Sequence, residues 1–128
     1  MPKIAQEGKA MVVDDSKAIR LILSRALEEI GWQVTQAING KEAWRAIEAQ
    51  PEPVKLVLVD WNMPEMNGLE FIRRVRKQQR YDETKLMMVT TETDVNEMVT
   101  ALEAGANEYV MKPFTKEIIQ DKVRILGF

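Results

Sequence analysis

Five polar residues directly follow short apolar runs. Asp14 and Asp15 follow Ala10-Met11-Val12-Val13, Asp60 follows Leu56-Val57-Leu58-Val59, Thr90 follows Leu86-Met87-Met88-Val89, and Lys112 follows Tyr109-Val110-Met111. Brought together, these carboxylates, a hydroxyl and an ammonium suit one chemistry: placing a phosphoryl group on a carboxylate and taking it off again. The carboxylates alone would repel, since two unit charges about 4 Å apart cost on the order of 4 kcal/mol at an effective dielectric of 20. They call for a cation. All-oxygen ligation that leaves several waters in place is the arrangement Mg²⁺ prefers. Asp60 stands alone at the end of its run and is the candidate nucleophile, while the Asp14-Asp15 pair is placed to hold the metal. Lys112 adds a second positive charge, and Thr90 adds a hydroxyl able to donate a hydrogen bond.

Other chemistries are excluded by composition. The 128 residues contain no cysteine and no histidine. That removes disulfide scaffolds, thiolate zinc sites, iron–sulfur clusters, thiol catalysis, imidazole ligands and Ser-His-Asp machinery. Eighteen basic residues against twenty acidic ones give a net charge of −2, which argues against nucleic acid as a partner. The longest apolar runs are four residues, whereas a membrane span needs about twenty. The opening Met1-Pro2-Lys3-Ile4-Ala5-Gln6-Glu7 has no apolar core of a signal peptide, so the expected location is cytoplasmic.

The elements that must position the five residues follow from the same runs. Each run is strand-length, continuous in hydrophobicity and ends abruptly, the pattern of strands buried on both faces in a parallel sheet. A fifth strand, Trp32-Gln33-Val34-Thr35-Gln36-Ala37, alternates more and belongs toward an edge. Helical patterns lie between. Ser16 caps a helix with Ile19, Ile22, Leu23, Ala26, Leu27 and Ile30 on one stripe, ended by Gly31. Asn39-Gly40 opens a second with Ala43, Trp44 and Ile47 inward, and Asn67-Gly68 a third through Leu69, Ile72 and Val75. Thr93 or Asp94 opens a fourth carrying Val95, Met98, Val99 and Leu102 to Gly105, and Thr115 a fifth carrying Ile118, Ile119, Val123 and Leu126.

Strand–helix repeated five times predicts an α/β fold, a doubly wound five-stranded parallel sheet with helices on both faces. Residues 1–8 read as a flexible terminus and 9–128 as one domain. In such sheets ligands bind beyond the carboxyl ends of the strands, where all five chemical residues should meet. Taken singly, Asp-Asp-Ser reads as a helix start, a strand-final Asp or Thr as a turn residue, and Lys-Pro as a turn. Their joint placement at one edge is what points to a site.

The motifs Val12-Val13-Asp14-Asp15-Ser16, Leu58-Val59-Asp60-Trp61-Asn62-Met63-Pro64, Met66-Asn67-Gly68-Leu69-Glu70, Met88-Val89-Thr90, Ala104-Gly105-Ala106 and Tyr109-Val110-Met111-Lys112-Pro113-Phe114-Thr115 resemble those of the receiver domain of bacterial response regulators. Within that family the single-domain chemotaxis regulators are most similar, over about Lys9 to Phe128. The resemblance implies a flavodoxin-like strand order of 2-1-3-4-5, for which the general fold rule itself cites this family. It implies that Asp60 accepts a phosphoryl group from a phosphohistidine on a sensor histidine kinase, or from a donor such as acetyl phosphate. It implies Mg²⁺ ligation by the Asp15 and Asp60 side chains and the Asn62 backbone carbonyl, with Asp14 acting through water. Lys112 and Thr90 would hold the phosphoryl oxygens, and the Lys112–Pro113 bond would be cis. Tyr109 would be the switch aromatic that turns inward with Thr90. Asn62 and Glu92 would position a water and tune dephosphorylation. Val95, Met98, Leu102, Ala106, Tyr109 and Lys122 would form a face for a downstream protein, with the flagellar motor switch as first candidate. Asp94, Val95 and Glu97 depart from the basic opening of this helix in enteric relatives.

The reading is therefore a monomeric phosphoacceptor signalling protein with autocatalytic phosphorylation and dephosphorylation, and not an enzyme acting on other molecules. A stand-alone phosphorelay receiver is the alternative. A small Mg²⁺-dependent aspartyl-phosphate phosphatase would place two aspartates two residues apart on the first strand, and Asp14-Asp15-Ser16 lacks that spacing. A flavodoxin-like electron carrier would need a hydroxyl- and glycine-rich loop where Asp14-Asp15 would repel a flavin phosphate.

Overall fold

A computed structural model describes residues 8–128. In chain order the elements are β1 (Gly8–Val13), α1 (Lys17–Glu28), β2 (Trp32–Ala37), α2 (Gly40–Ala49), β3 (Leu56–Val59), α3 (Gly68–Arg76), a 3₁₀ turn (Gln79–Tyr81), β4 (Lys85–Thr90), α4 (Val95–Ala104), β5 (Glu108–Met111) and α5 (Lys116–Ile125). All strand pairings are parallel and the order is β2-β1-β3-β4-β5. The order reverses at β1, between β2 and β3, so the crevice opens at the carboxyl ends of β1 and β3. Of the segment expected to be a flexible terminus, residues 1–7 lie outside the described residues, and Gly8 already pairs with Trp32 in β1.

Period-2 alternation along each strand divides the core between two faces. Met11, Val13, Val57, Val59, Leu86 and Met88 face α2 and α3, packing with Ala43, Trp44, Ile47, Phe71, Ile72 and Val75. Ala10, Val12, Leu56, Leu58, Met87 and Val89 face α1 and α5, packing with Leu23, Ala26, Leu27, Ile119 and Val123. All four residues of β3 are fully buried, which explains its unbroken apolar run. Truncating one of them, such as Leu58→Ala, costs about 2–5 kcal/mol.

Several expected inward positions point outward. Ile22 and Ile118 are exposed because the contact stripes of α1 and α5 are narrower than their apolar patterns. In α4 only Ala101 is buried, with Met98 and Ala104 partly covered, while Val95, Val99 and Leu102 are exposed. This helix packs mainly on α3 and β5 at the end of the sheet where less surface is available to cover it.

Candidate functional site

Backbone pairing continues one step beyond the strands and fixes the residues that follow them. Asp14 N donates to the Ala37 carbonyl (3.1 Å), Asp60 N to that of Val13 (3.0 Å), and Lys112 N to that of Thr90 (2.8 Å). The start of α1 is built around Asp14 as well as the capping Ser16. Asp14 Oδ1 accepts from Ser16 N (2.9 Å), Ser16 Oγ accepts from Ile19 N (3.3 Å), and Arg20 Nη1 donates to the Asp14 carbonyl (2.8 Å).

These constraints bring the carboxylates of Asp14, Asp15 and Asp60 together, with one oxygen from each within 4.8 Å of the others. Asp14 and Asp60 are buried and Asp15 is exposed at the rim. Lys112 Nζ lies 2.8 Å from Asp14 Oδ2 and 3.4 Å from Asp60 Oδ2. Burial raises the pKa of Asp60 above the usual carboxylate value; the Lys112 charge and the Thr90 hydroxyl oppose the shift, and Asp14 adds to it. Three hard oxygen donors converging at a partly open rim fit a small divalent cation, because one ammonium does not neutralise three carboxylates.

Thr90 is fully buried, and its Oγ1 accepts from Glu92 N (3.3 Å). Asn62 and Glu92 are joined directly, Asn62 Nδ2 donating to Glu92 Oε1 at 2.6 Å. That amide and the Glu97 carboxyl group hold the Glu92 pKa below its usual value, and the same contact with Glu92 pushes Glu97 upward. Tyr109 is buried, and its hydroxyl donates to the Glu92 carbonyl (2.9 Å). Burial, reinforced by Glu97, Glu92 and Asp60, pushes its phenol up to about 12. The Lys112–Pro113 bond is cis, as the resemblance implied.

The expected downstream face is less complete than its residue set suggested. Val95 and Leu102 are exposed, and Met98 and Lys122 are partly so, with Lys122 Nζ 3.4 Å from Glu108 Oε1. Ala106 and Tyr109 are only 7% and 8% exposed and add little area. Ala106 is tucked beneath the turn that ends α4, and the Tyr109 ring lies in the core.

Two contributors escaped the sequence reading. Gly68 packs against the backbone carrying Asp60: a Cβ there would lie 2.1 Å from the Asp60 carbonyl oxygen, and Gly68 N donates to the Trp61 carbonyl (2.9 Å). Arg20 braces the loop after β1, with Nε also donating to Gln36 Oε1 (3.2 Å). Asn67-Gly68 signalled only a helix start, and nothing in the spacing of Arg20 marks a loop contact.

Comparison with known proteins agrees with this geometry. The response regulator receiver domain family matches residues 10–124. The chain is 44% identical over 121 residues to a Chemotaxis protein CheY homolog of Campylobacter jejuni, covering 93% of this chain and 92% of the relative. It is 41% identical over 119 residues to Chemotaxis protein CheY1 of Helicobacter pylori, covering 92% and 95%. Chemotaxis response regulator CheY4 of Vibrio cholerae superposes with a TM-score of 0.86 at 33% identity, covering 93% of this chain and 98% of that one. The aspartate cluster at the strand ends, the parallel order and these matches over nearly the full length of CheY-type relatives show that the chain belongs to the response regulator receiver domain family.

Proposed function

We propose that this protein is a single-domain cytoplasmic receiver in which Asp60 accepts a phosphoryl group from a histidine kinase, in a Mg²⁺-dependent reaction, and that phosphorylation switches its binding to a downstream protein. The observation that carries this reading is the placement of Lys112 Nζ between two buried aspartates, one of which stands alone at the end of a central strand. Its nearness to chemotaxis relatives favours a chemotaxis pathway.

An Asp60 carboxylate oxygen attacks phosphorus. The phosphorus–nitrogen bond of phosphohistidine breaks, and the imidazole leaves with its electron pair and takes a proton. Asp14, Asp15, Asp60 and the Asn62 carbonyl would hold Mg²⁺, whose charge offsets that of the phosphoryl oxygens. Lys112 donates to one of those oxygens, and the Thr90 hydroxyl donates to another. Hydrolysis adds a water to phosphorus and returns Asp60 as a carboxylate and free phosphate. Asn62, two residues beyond Asp60, and Glu92, bonded to the Asn62 amide, would hold that water as donor and acceptor.

The charge and shape change is transmitted by Thr90 and Tyr109, because the Tyr109 hydroxyl is tied to the backbone of Glu92, two residues beyond Thr90. The output is carried by α4, with exposed Val95 and Leu102 and half-buried Met98, and by Lys122 on α5, paired with Glu108 of β5. The flagellar motor switch is the first candidate target. The acidic residues Asp94 and Glu97 at the start of α4 support a second reading, a stand-alone phosphorelay receiver that meets a different partner.

The test is Trp61 fluorescence on addition of acetyl phosphate or beryllofluoride with Mg²⁺. A response in the wild type that Asp60→Asn abolishes supports the reading. A full response in Asp60→Asn contradicts it.

A further inference from the structure

Arg76 ends α3, at the end of the sheet opposite the aspartates, and its guanidinium is bonded to four oxygens of neutral groups. Nε donates to the Gly105 carbonyl (3.0 Å), Nη1 to the Tyr81 carbonyl (2.8 Å), and Nη2 to the Thr84 carbonyl and Asn107 Oδ1 (2.8 Å each). Asn107 Oδ1 also accepts from Leu86 N (2.8 Å). One side chain thus joins the 3₁₀ turn, the approach to β4, the end of α4 and the approach to β5. Only the planar five-donor fork of arginine can do this; a lysine ammonium offers three donors at a single point.

Gly105 meets it from the other side. Its φ of +122° lies where L side chains are rare, and a Cβ would come within 2.5 Å of Arg76 Cγ and 2.9 Å of Nε. Gly105 N donates to the Leu102 carbonyl and Ala106 N to the Ala101 carbonyl (3.1 and 3.0 Å), a Schellman ending that packs Ala106 near Ala101, the one buried residue of α4. The opposite end of α4 is held differently. Val95 is 67% exposed, and the connection to the phosphoryl site runs through Glu92, bonded to Asn62 and Tyr109.

We propose that Arg76 is a positioning residue: with Gly105 it forms the pivot of α4, so that loading of the site swings the Val95 end while the Leu102 end stays in place. A ten-residue helix is about 15 Å long, so a small rotation at the clamp becomes a displacement of a few Å at the far end. This rests on the phosphoacceptor reading, and it adds which end of α4 moves and what holds the other.

The absence of cysteine allows clean site-directed spin labelling. Labelled pairs Glu48→Cys/Asn96→Cys and Glu48→Cys/Glu103→Cys measure the two ends of α4 against α2. With beryllofluoride and Mg²⁺, the first distance should shift by about 2 Å or more and the second by less than about 1 Å. In Arg76→Lys both ends should shift. Without any ligand, Arg76→Lys should speed amide exchange at residues 102–107 on the order of tenfold while leaving α1 and α2 unchanged. A merely structural role would instead loosen all elements together, in step with a lower urea midpoint. Equal shifts at both ends of wild-type α4, no shift at either despite a Trp61 response, or unchanged exchange at 102–107 in Arg76→Lys would overturn the pivot. A wild type with no Trp61 response would overturn the phosphoacceptor reading instead, and the ligand-free exchange comparison would still decide the clamp.

Discussion

Lys112 Nζ sits closer to Asp14 than to Asp60, 2.8 Å against 3.4 Å, although Asp60 is the residue we propose is phosphorylated. The ammonium is therefore anchored on buried Asp14, and it keeps weaker contact with Asp60, the proposed phosphoacceptor. Such a cation can follow a phosphoryl oxygen without leaving Asp14 unpaired. The short bond preserves the site, and the longer one leaves room for change.

Lys112→Ala removes the ammonium that lies between the two buried aspartates. Breaking a buried pair from one side costs about 3–5 kcal/mol, and the partial exposure of Lys112 places this case toward the lower end. Urea unfolding in EDTA should show the loss, and Mg²⁺ should recover part of it. Mg²⁺ binding should survive, while the change at Tyr109 on phosphorylation should not. An intact Tyr109 response in this variant would remove Lys112 from the switch.

Asn62 and Glu92 are bonded directly, and under the proposed reading they serve dephosphorylation as a donor and an acceptor. In Asn62→Ala/Glu92→Ala, decay of the acyl phosphate should slow on the order of tenfold or more. Equal slow decay in the variant and the wild type would end that assignment.

Tyr109 offers an alkaline signature. Its phenol is raised from 10.0 to about 12, so the folded chain keeps the proton over a range in which the unfolded chain loses it. The resulting stabilisation is complete below pH about 10 and is lost as pH climbs through about 12. The phenolate absorbance of wild type minus that of Tyr109→Phe should titrate near the upper value. A midpoint at the ordinary value of about 10 would contradict the buried, Glu92-bonded ring. At neutral pH the same variant should lose about 0.5–1.5 kcal/mol with its hydrogen bond.

Gly68→Ala tests how tightly the phosphoacceptor loop is held. A Cβ 2.1 Å from the Asp60 carbonyl oxygen forces backbone movement, and overpacking of this kind costs about 1–3 kcal/mol. The variant should have a lower urea midpoint and slower phosphorylation by acetyl phosphate. Wild-type values for both would show that the loop yields freely.

Much of this molecule was legible in the residues. Three of the four unbroken apolar runs became the central strands β1, β3 and β4, covered on both faces, whereas Tyr109–Met111 falls in the edge strand β5 with Met111 exposed, opposite the alternating edge strand β2 (Trp32–Ala37). Abrupt polar endings located Asp14, Asp15, Asp60, Thr90 and Lys112, since a parallel sheet delivers the carboxyl ends of its strands to one side. Legibility failed where a contact depends on what lies across the fold. The apolar pattern of α4 cannot show that Val95 and Leu102 face away from the core, and the sequence around Arg76 cannot show that its guanidinium meets Gly105 and Asn107, about thirty residues on. Asn62 and Glu92 were each legible as polar neighbours of the site, but their bond to one another appears only once β3 and β4 are paired.

The most direct test is to incubate the chain with acetyl phosphate and Mg²⁺ and map the phosphoryl adduct by mass spectrometry. The predicted result is one labile phosphoryl group, on the peptide carrying Asp60, lost when Mg²⁺ is chelated beforehand and absent from Asp60→Asn. An adduct on another residue, or equal labelling of Asp60→Asn, would contradict the account.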